Sequence, residues 1–430
     1  MLTKFYNIST DKTLGGTNPS DTTAVSQSAI KKYIDKRVFG GSSYYWRNGL
    51  PTVSSSGTVL TIQDVHVGIG DSWYHGGGSL NINNSAAWDT ASYATAANRA
   101  GVDCYIYACK PSTDTDMPKF VLSTNATVPT GYTAATSRKI GGFHGLCLAA
   151  GTISGHPLSG WATGSILPAT VWDLFHRPAS STEGMFYAMG KWCSIYLASW
   201  DGSKLVSKYG GQIADGSSSV TISGETGFSG EALAEYATYV HCTLLSREYF
   251  MGIAEGSNQR TNIQGSKDYG TAGGHYDTAG RRMLSSYGAE DCCGFMWQWT
   301  SDLLDSGATW YDSLNNNTVI QNPDTYYTAN KYVSGRQGFR EESVYEGTRT
   351  TKGAVPTNYG TNGRGSAYAC LLRRLLVGGD WVDGSSCGSR SVLGNGLSSR
   401  RFGINGARLV SEPWVGGSSA PDTTIFPRVA

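Results

Sequence analysis

The residues best able to do chemistry in this 430-residue chain are nine cysteines, sparse carboxylates and one His-x-Asp pair. The cysteines are Cys104, Cys109, Cys147, Cys193, Cys242, Cys292, Cys293, Cys370 and Cys387. None stands in a Cys-x-x-Cys pair, and no Cys/His spacing suits zinc. Cys292 and Cys293 are adjacent, which makes joint ligation awkward. Cys104, Cys109 and Cys193 lie in largely apolar runs and read as small buried hydrophobes. Mostly free thiols are therefore expected. In Gly273-Gly274-His275-Tyr276-Asp277 the His and Asp could begin a metal site, but no second His-rich segment completes it. Structural hydrogen bonding is expected there, with no metal and no other cofactor. Reading by spacing picks out no Gly-x-Ser-x-Gly elbow, no P-loop and no His-Glu-x-x-His string. Paired carboxylates for glycoside hydrolysis need not be close in sequence, yet the acidic residues show no suggestive grouping. No catalytic residue is assigned.

Binding chemistry is better represented, near the C-terminal end. Three anchors stand there: Gly378-Gly379-Asp380-Trp381, Gly388-Ser389-Arg390 and Gly406-Ala407-Arg408. Between them come Val382, Asp383, Gly384, Ser385 and Ser386, then Asn395, Ser398, Ser399, Arg400, Phe402, Ile404 and Asn405. Glycines and aromatics that a backbone needs alternate with small, polar or aromatic side chains that a core does not need. Such an alternation describes a rigid frame displaying an exchangeable surface. It points to recognition rather than to catalysis.

Composition bounds what can hold that surface. Glycine accounts for 56 residues, and charged residues are only 16% against about a quarter in ordinary domains. Low charge alone would suit disorder, but 12 Trp and 25 Tyr supply large groups to bury. A folded, loop-rich, mostly β protein is expected. The formal net charge of +1 offers no basic footprint for nucleic acid. Six Arg face only Asp380 and Asp383 between Leu371 and Arg408, a local bias that internal pairing would absorb in part. No apolar run is long enough to insert in a membrane. Met1-Leu2-Thr3-Lys4 leads into no apolar signal segment, so synthesis as a soluble protein in a reducing cytosol is expected.

Three regions must position the anchors. Residues 1–38 read as an attachment and oligomerisation segment: turn chemistry at Leu14–Asp21, then a short helix capped by Ser26 with Ala29, Ile30, Tyr33 and Ile34 on one face. Two to three helical turns are marginal alone in water, so that face should be covered by a neighbouring domain or by copies of itself. Residues 39–145 read as a β-rich domain. Leu60 and Ile62 alternate with polar neighbours, as do Val65, Val67 and Ile69; Tyr105–Cys109 reads as a more fully buried strand. Gly76-Gly77-Gly78 and Pro129-Thr130-Gly131 read as turns. Residues 146–430 carry helices among aromatic-rich loops, an α+β texture. Ser229 is expected to cap a helix from Gly230 through Val240, with Ala232, Tyr236 and Tyr239 on one face. Ser246 is expected to cap a second, from Arg247 to Ala254. Gly294-Phe295-Met296-Trp297-Gln298-Trp299 puts two Trp on one side of a strand. They are expected in the core with their indole N–H groups bonded to loop carbonyls; a sugar-stacking platform is the lesser reading.

In order, the Leu245–Ser257 helix, the Gly294–Trp299 strand and the final anchors resemble the C-type-lectin-like fold shared by formylglycine-generating enzymes and phage tropism determinants. His176-Arg177-Pro178 and Lys191-Trp192 extend the resemblance over about Pro168 to Glu412. It is closer to the phage major tropism determinant family, receptor-binding tail-fibre proteins diversified by a retroelement. Ser137–His144 resembles the domain junction of that family, and the opening segment is similar to attachment segments of tail fibres. The resemblance implies an α+β fold with a C-type-lectin-like C-terminal domain, and a virion protein made in the host cytoplasm. It implies partners too: a host cell-surface protein or glycan, other phage tail proteins, and further copies of itself in a homotrimer.

By the same resemblance Gly378, Gly379, Trp381, Ser389, Arg390, Gly406, Ala407 and Arg408 are framework, with Trp297 and Trp299 behind them. Asp380, Val382, Gly384, Ser386, Leu393, Asn395, Gly396, Arg400, Phe402, Ile404 and Asn405 are the expected receptor contacts. Small polar groups with Arg and Phe are what an adaptable binding surface uses. The competing reading has Leu393, Phe402 and Ile404 buried. A rival function is that of a lectin-fold enzyme, acting on glycans or of the formylglycine-generating type. The latter uses a close cysteine pair after the Gly-Gly-aromatic stretch, whereas here only Cys387 follows Trp381.

Overall fold

A computed structural model describes residues 45–70, 72–113, 115–222, 225–304, 327–329, 367–369, 373–394 and 398–416. The expected N-terminal attachment helix lies outside the described residues.

The first unit is two β-sheets sharing one apolar interior. Its organising strand is Val59–Ile69, which pairs antiparallel with Ser72–Asn81 on one edge and with Tyr45–Arg47 and Thr52–Val53 on the other. Leu60, Ile62, Val65, Val67 and Ile69 all face inward. The step from 62 to 65 breaks the period of two, and the register shows why. Ile62 lies opposite Gly78 but Val65 opposite Gly76, so the strand carries one extra residue, a β-bulge. The bulge restores the inward phase after Gln63-Asp64.

Gly76-Gly77-Gly78 was expected as a turn and is instead the inside of a strand, facing that bulge. A Cβ on Gly77 would lie 2.6 Å from the Ile62 carbonyl oxygen, so here glycine serves close backbone approach and not chain reversal.

The opposing sheet has the order Lys119–Ser123, Asp103–Cys109, Ser137–His144, Trp172–Asp173. Its centre is the expected Tyr105–Cys109 run, buried on both faces. Its last strand draws the sheet on past residue 145, and Ile166, Val171 and Leu174 join the same interior.

Beyond it lie a four-stranded sheet, a six-stranded sheet and two short helices. The helix Gly230–Thr238 is capped by the Ser229 hydroxyl, which accepts from Ala232 N; Arg247–Ile253 is capped by Ser246, which accepts from Tyr249 N. Both caps stand where the sequence puts them. The first helix stops short of Val240, and its buried face is Gly230, Leu233 and Ala237 rather than Ala232, Tyr236 and Tyr239. Gly230 is decisive: its bare backbone lies against the Trp299 indole, where a Cβ would come within 2.8 Å of the ring. That contact fixes which side of the helix turns inward.

The six-stranded sheet has the order Tyr327–Ala329, Ala367–Ala369, Gly388–Gly394, Arg373–Gly378, Trp297–Leu304, Asn405–Ala407. The four-stranded one has the order Thr243–Leu244, Leu409–Ser411, Lys191–Ser194, Met185–Ala188. The chain passes from one sheet to the other across a single residue, Arg408. Its guanidinium is fully buried and donates to Gln298 Oε1 at 3.2 Å, to the Ser194 and Ile195 carbonyls at 2.9 and 2.6 Å, and to the Glu290 carbonyl.

Arg408→Met would keep most of the volume while leaving three buried carbonyls and one amide oxygen without this donor. A loss of about 3–5 kcal/mol in stability is expected, read from the urea unfolding transition. Arg408→Lys is expected to recover little of it, because an ammonium cannot reach outward along three directions from one plane.

Candidate functional site

Strand directions gather most of the expected contact residues at one place. Arg373–Gly378 runs antiparallel to Trp297–Leu304, with Val377 opposite Gln298, and Asn405–Ala407 runs parallel to it, with Gly406 beside Gln298. Gly388 opens its strand opposite Gly378. The turn after Gly378 and the segment ending at Asn405 therefore emerge at the same end of the sheet. Leu393 lies opposite Leu376, so its strand carries it toward the other end. Asn395 and Gly396 lie outside the described residues.

The first loop is folded around two carboxyl groups. Gly378 and Gly379 adopt φ of +99° and +86°, and a Cβ would lie 2.7 Å from the Cys292 carbonyl oxygen at the first and 2.8 Å from Cys387 Sγ at the second. Only glycine passes here without strain. Asp380 Oδ1 then accepts from Val382 N at 2.9 Å, and Asp380 N donates to Asp383 Oδ2 at 2.9 Å. Asp383 also accepts from the Trp297 side chain. A short 3-10 turn, Gly384–Ser386, returns the chain to Gly388. Behind the loop, Asn262 Nδ2 donates to the Trp381 carbonyl and Arg260 N to the Cys387 carbonyl at 2.9 Å.

Asp380 was expected as a receptor contact, but it is 4% exposed and its acceptors face its own loop. It builds the turn that lifts Val382, which is 65% exposed. Burial pushes the Asp380 carboxyl up to about 6, its bond from Val382 N works against this, and the nearby Asp383 charge adds to the rise. Asp383 is raised as well, chiefly by burial.

The second loop is pinned along its length. Ser398 O accepts from Glu231 N at 3.2 Å while the Ser398 hydroxyl donates to Glu231 Oε1 at 2.6 Å. Arg401 Nε donates to the Gly227 carbonyl at 3.3 Å, Gly216 N to the Phe402 carbonyl at 3.2 Å, and Trp297 N to the Ile404 carbonyl at 2.9 Å. Between these points Arg400 and Phe402 turn outward, the guanidinium 5.5 Å from the ring centroid. Phe402 is 44% exposed, whereas Asn405 is 3% exposed. Asn405 is thus a second correction, a strand residue beside Trp297 and not a contact.

Gly384, Ser386, Leu393 and Ile404 are half-buried, the last two packed on the cluster that holds Trp297, Trp299 and Leu376. Val382, Arg400 and Phe402 are the expected contacts left most open.

Most of the residues expected as framework are covered. Arg390 is buried, Trp381 packs half-buried on the main core, and Trp297 and Trp299 are internal, so the latter two cannot stack on a sugar. The partner of the Trp297 indole is a carboxylate and not a loop carbonyl.

His275 pairs with Asp291 at 2.9 Å, whereas Asp277 caps its own turn by accepting from Ala279 N and Arg281 N. Burial works against a charge on His275, but Asp291 outweighs it and raises the pKa. Among the described residues no His/Cys/Asp/Glu group could hold a metal ion. The eight cysteines among the described residues are buried and free; Cys387 donates its thiol to the Asp380 carbonyl, and burial pushes its pKa well up.

Gly384-Ser385-Ser386-Cys387-Gly388 satisfies the Gly-x-Ser-x-Gly pattern formally, a match that reading by spacing missed. Here a 3-10 turn feeds a strand, the reverse of the strand-to-helix elbow that would activate such a serine.

Residues 57–173 match the family model described as the Mtd second domain. They run from the bulged strand to Trp172–Asp173 and leave out the two short strands, Tyr45–Arg47 and Thr52–Val53, that edge the first sheet. The chain is 29% identical over 330 residues to the tail fiber receptor-binding protein of Bordetella phage BPP-1, covering 73% of this chain and 71% of that protein. Solved structures of the U1 and P3c variants of the Major Tropism Determinant share the fold with a TM-score of 0.53. They are 23% and 24% identical to this chain, and the match covers 87% of it and 85% of each of theirs.

The raised Asp380 carboxyl has a signed consequence. Its folded pKa exceeds its unfolded value, so its contribution is present below about pH 4 and is lost as pH rises through about 6. Asp380→Asn keeps an acceptor for Val382 N and adds a donor toward Asp383. Thermal unfolding of the variant is expected to show a gain of about 1–3 kcal/mol at pH 7 that disappears by pH 4.

Proposed function

We propose that this chain is a receptor-binding protein of a phage tail fibre, of the major tropism determinant type, and that it acts as an adhesin. One observation carries the reading to the residue level. Two loops at one end of a sheet present Val382, Arg400 and Phe402 to solvent, while buried groups of other segments hold their backbones. An exposed aliphatic group on one loop, and on the other a cation set against an aromatic ring, are strong anchors for a protein or glycan surface. The likeness to the BPP-1 tail fiber protein supplies the biological setting.

In this reading the β-rich domain reaches Asp173 rather than ending at 145, the C-type-lectin-like receptor-binding domain follows it, and residues 1–38 are the attachment segment. The protein belongs to the virion and is made in the host cytoplasm. It works as a homotrimer bound to other tail proteins, so that weak individual heads act together; linked sites can raise avidity by about 10²–10⁴. It acts by binding and not by turnover. The buried Cys387 thiol, held against Asp380, suits packing better than oxidation chemistry.

Labelled protein is expected to coat its host bacterium, and Phe402→Ala or Arg400→Glu to reduce that binding by roughly tenfold or more with the unfolding temperature unchanged. Binding that is indifferent to every substitution at Val382, Arg400 and Phe402 would move the receptor surface elsewhere. Light scattering is expected to return three times the 45.9 kDa chain mass; a monomer mass removes the trimer. If the loops are diversified, an imperfect second copy of their coding segment should lie beside a reverse-transcriptase gene.

A further inference from the structure

We infer that a third segment, residues 264–270, belongs to the receptor-binding surface, and that its Lys267–Tyr269 pair fits an apolar, carboxylate-rimmed patch on a protein. The inference rests on the adhesin reading and narrows its partner.

The segment lies beside both loops. The Asn262 side-chain nitrogen donates to Ser266 Oγ at 2.9 Å and also to the Trp381 carbonyl, so Ser266 and the residue before Val382 meet on one amide. On the other side Ile213 N donates to the Gly270 carbonyl at 3.0 Å, and Gly216 N donates to the Phe402 carbonyl. Three residue steps part those two donors, a reach of at most about 11 Å. The segment is thus tied to the first loop through one side chain and to the second through a short run of chain.

Its own shape is fixed. Gln264 N donates to the Tyr276 carbonyl at 2.8 Å, Ser266 N to the Ile263 carbonyl at 3.0 Å, and Gly270 N to Asp268 Oδ1 at 2.7 Å. Gly265 and Gly270 adopt φ of +80° and +68°. Ser266 adopts +46°, a conformation that is costly for a residue with a Cβ. The Tyr269 hydroxyl donates to the Gln264 carbonyl at 2.9 Å, and its ring stands 5.1 Å from that of His275, which Asp291 holds. A ring placed in advance loses little freedom when a partner covers it.

What faces outward selects the partner. Tyr269 is 41% exposed, and the Lys267 ammonium lies 4.7 Å from the centroid of its ring. The arrangement repeats that of Arg400 on Phe402. The polar groups of the segment are engaged within it: the Ser266 hydroxyl accepts from Asn262, the Tyr269 hydroxyl is donated to Gln264, and Asp268 caps Gly270. A glycan, oriented by directional bonds to its hydroxyls, finds few partners left there. Ring faces beside Val382, with two ammonium and guanidinium heads around them, suit apolar side chains of a protein rimmed by carboxylates. Residues 264–270 precede the final anchors in sequence, so they supply a contact outside the exchangeable stretch.

The full chain, fluorescently labelled, is titrated on intact cells on which virions carrying it form plaques. Lys267→Glu and Tyr269→Ala are each expected to weaken binding about tenfold or more, with the unfolding temperature unchanged. Met117→Ala, at an exposed position of the first unit, is expected to change nothing. Trypsin treatment of the cells is expected to abolish binding and periodate treatment to spare it. Weakening at Phe402 but not at Lys267 or Tyr269 overturns the inference and leaves the adhesin reading intact. Cells still coated after trypsin, and bare after periodate, make the partner a glycan and overturn it too. No coating by the unmodified chain overturns the adhesin reading as well. Lys267→Glu decides the matter if Tyr269→Ala fails to fold, because Lys267 is exposed.

Discussion

The second half of this protein depends on one buried guanidinium. Arg408 stands at the residue where the chain leaves the six-stranded sheet and enters the four-stranded one. Backbone carbonyls of other segments converge on this crossing, and each buried carbonyl has room for a further donor. Arg408 gathers those of Ser194, Ile195 and Glu290 in one plane and adds the Gln298 amide oxygen from the strand beside it. No other side chain has donors enough, in a fixed fork, to do this from one position.

A second buried network leans on the first. Glu290, whose carbonyl Arg408 holds, places its carboxylate against Arg282 Nη2 at 2.6 Å, the Cys147 thiol at 3.3 Å and Gly274 N at 3.1 Å. Next to it Asp291 accepts from Gly273 N at 2.7 Å and pairs with His275. Long irregular segments are thereby held by ionic and carbonyl contacts where regular ladders are few. Such pairs stabilise only when every member is satisfied, which makes these positions intolerant of change.

The loops at the sheet end are built differently. There the backbone is held by Gly378, Gly379, Asp380, Asp383 and Asn262, and by Glu231, Gly227 and Gly216 on the other side. Val382, Arg400 and Phe402 spend little of their surface on that task. Surface substitutions away from buried partners usually shift stability by less than about 0.5 kcal/mol. Outward-facing groups and supporting groups are therefore nearly separate sets of residues, and the first set can vary without unfolding the second.

Local chemistry made part of this legible from the chain. Ser229 and Ser246 cap helices because a hydroxyl before a helical run serves its first N–H groups in any context. The inward series from Leu60 to Ile69 already contains its bulge as one step of three. The anchors around Gly378 and Arg408 stand out because glycine and arginine there have no substitute. Long-range proximity was not legible. Asp380 and Asn405 look like surface polar residues until the strands beside them close over them. His275 lies two residues from Asp277 yet meets Asp291, because a turn directs the nearer carboxylate to its own backbone. The glycine run at 76–78 reads as a reversal until Ile62 is found against it. What the chain by itself determined was where backbones must bend, be capped or be anchored, since those demands arise within a few residues. Which polar groups are covered and which side chains stay open to solvent was decided only in tertiary structure, because burial is a property of what packs from elsewhere.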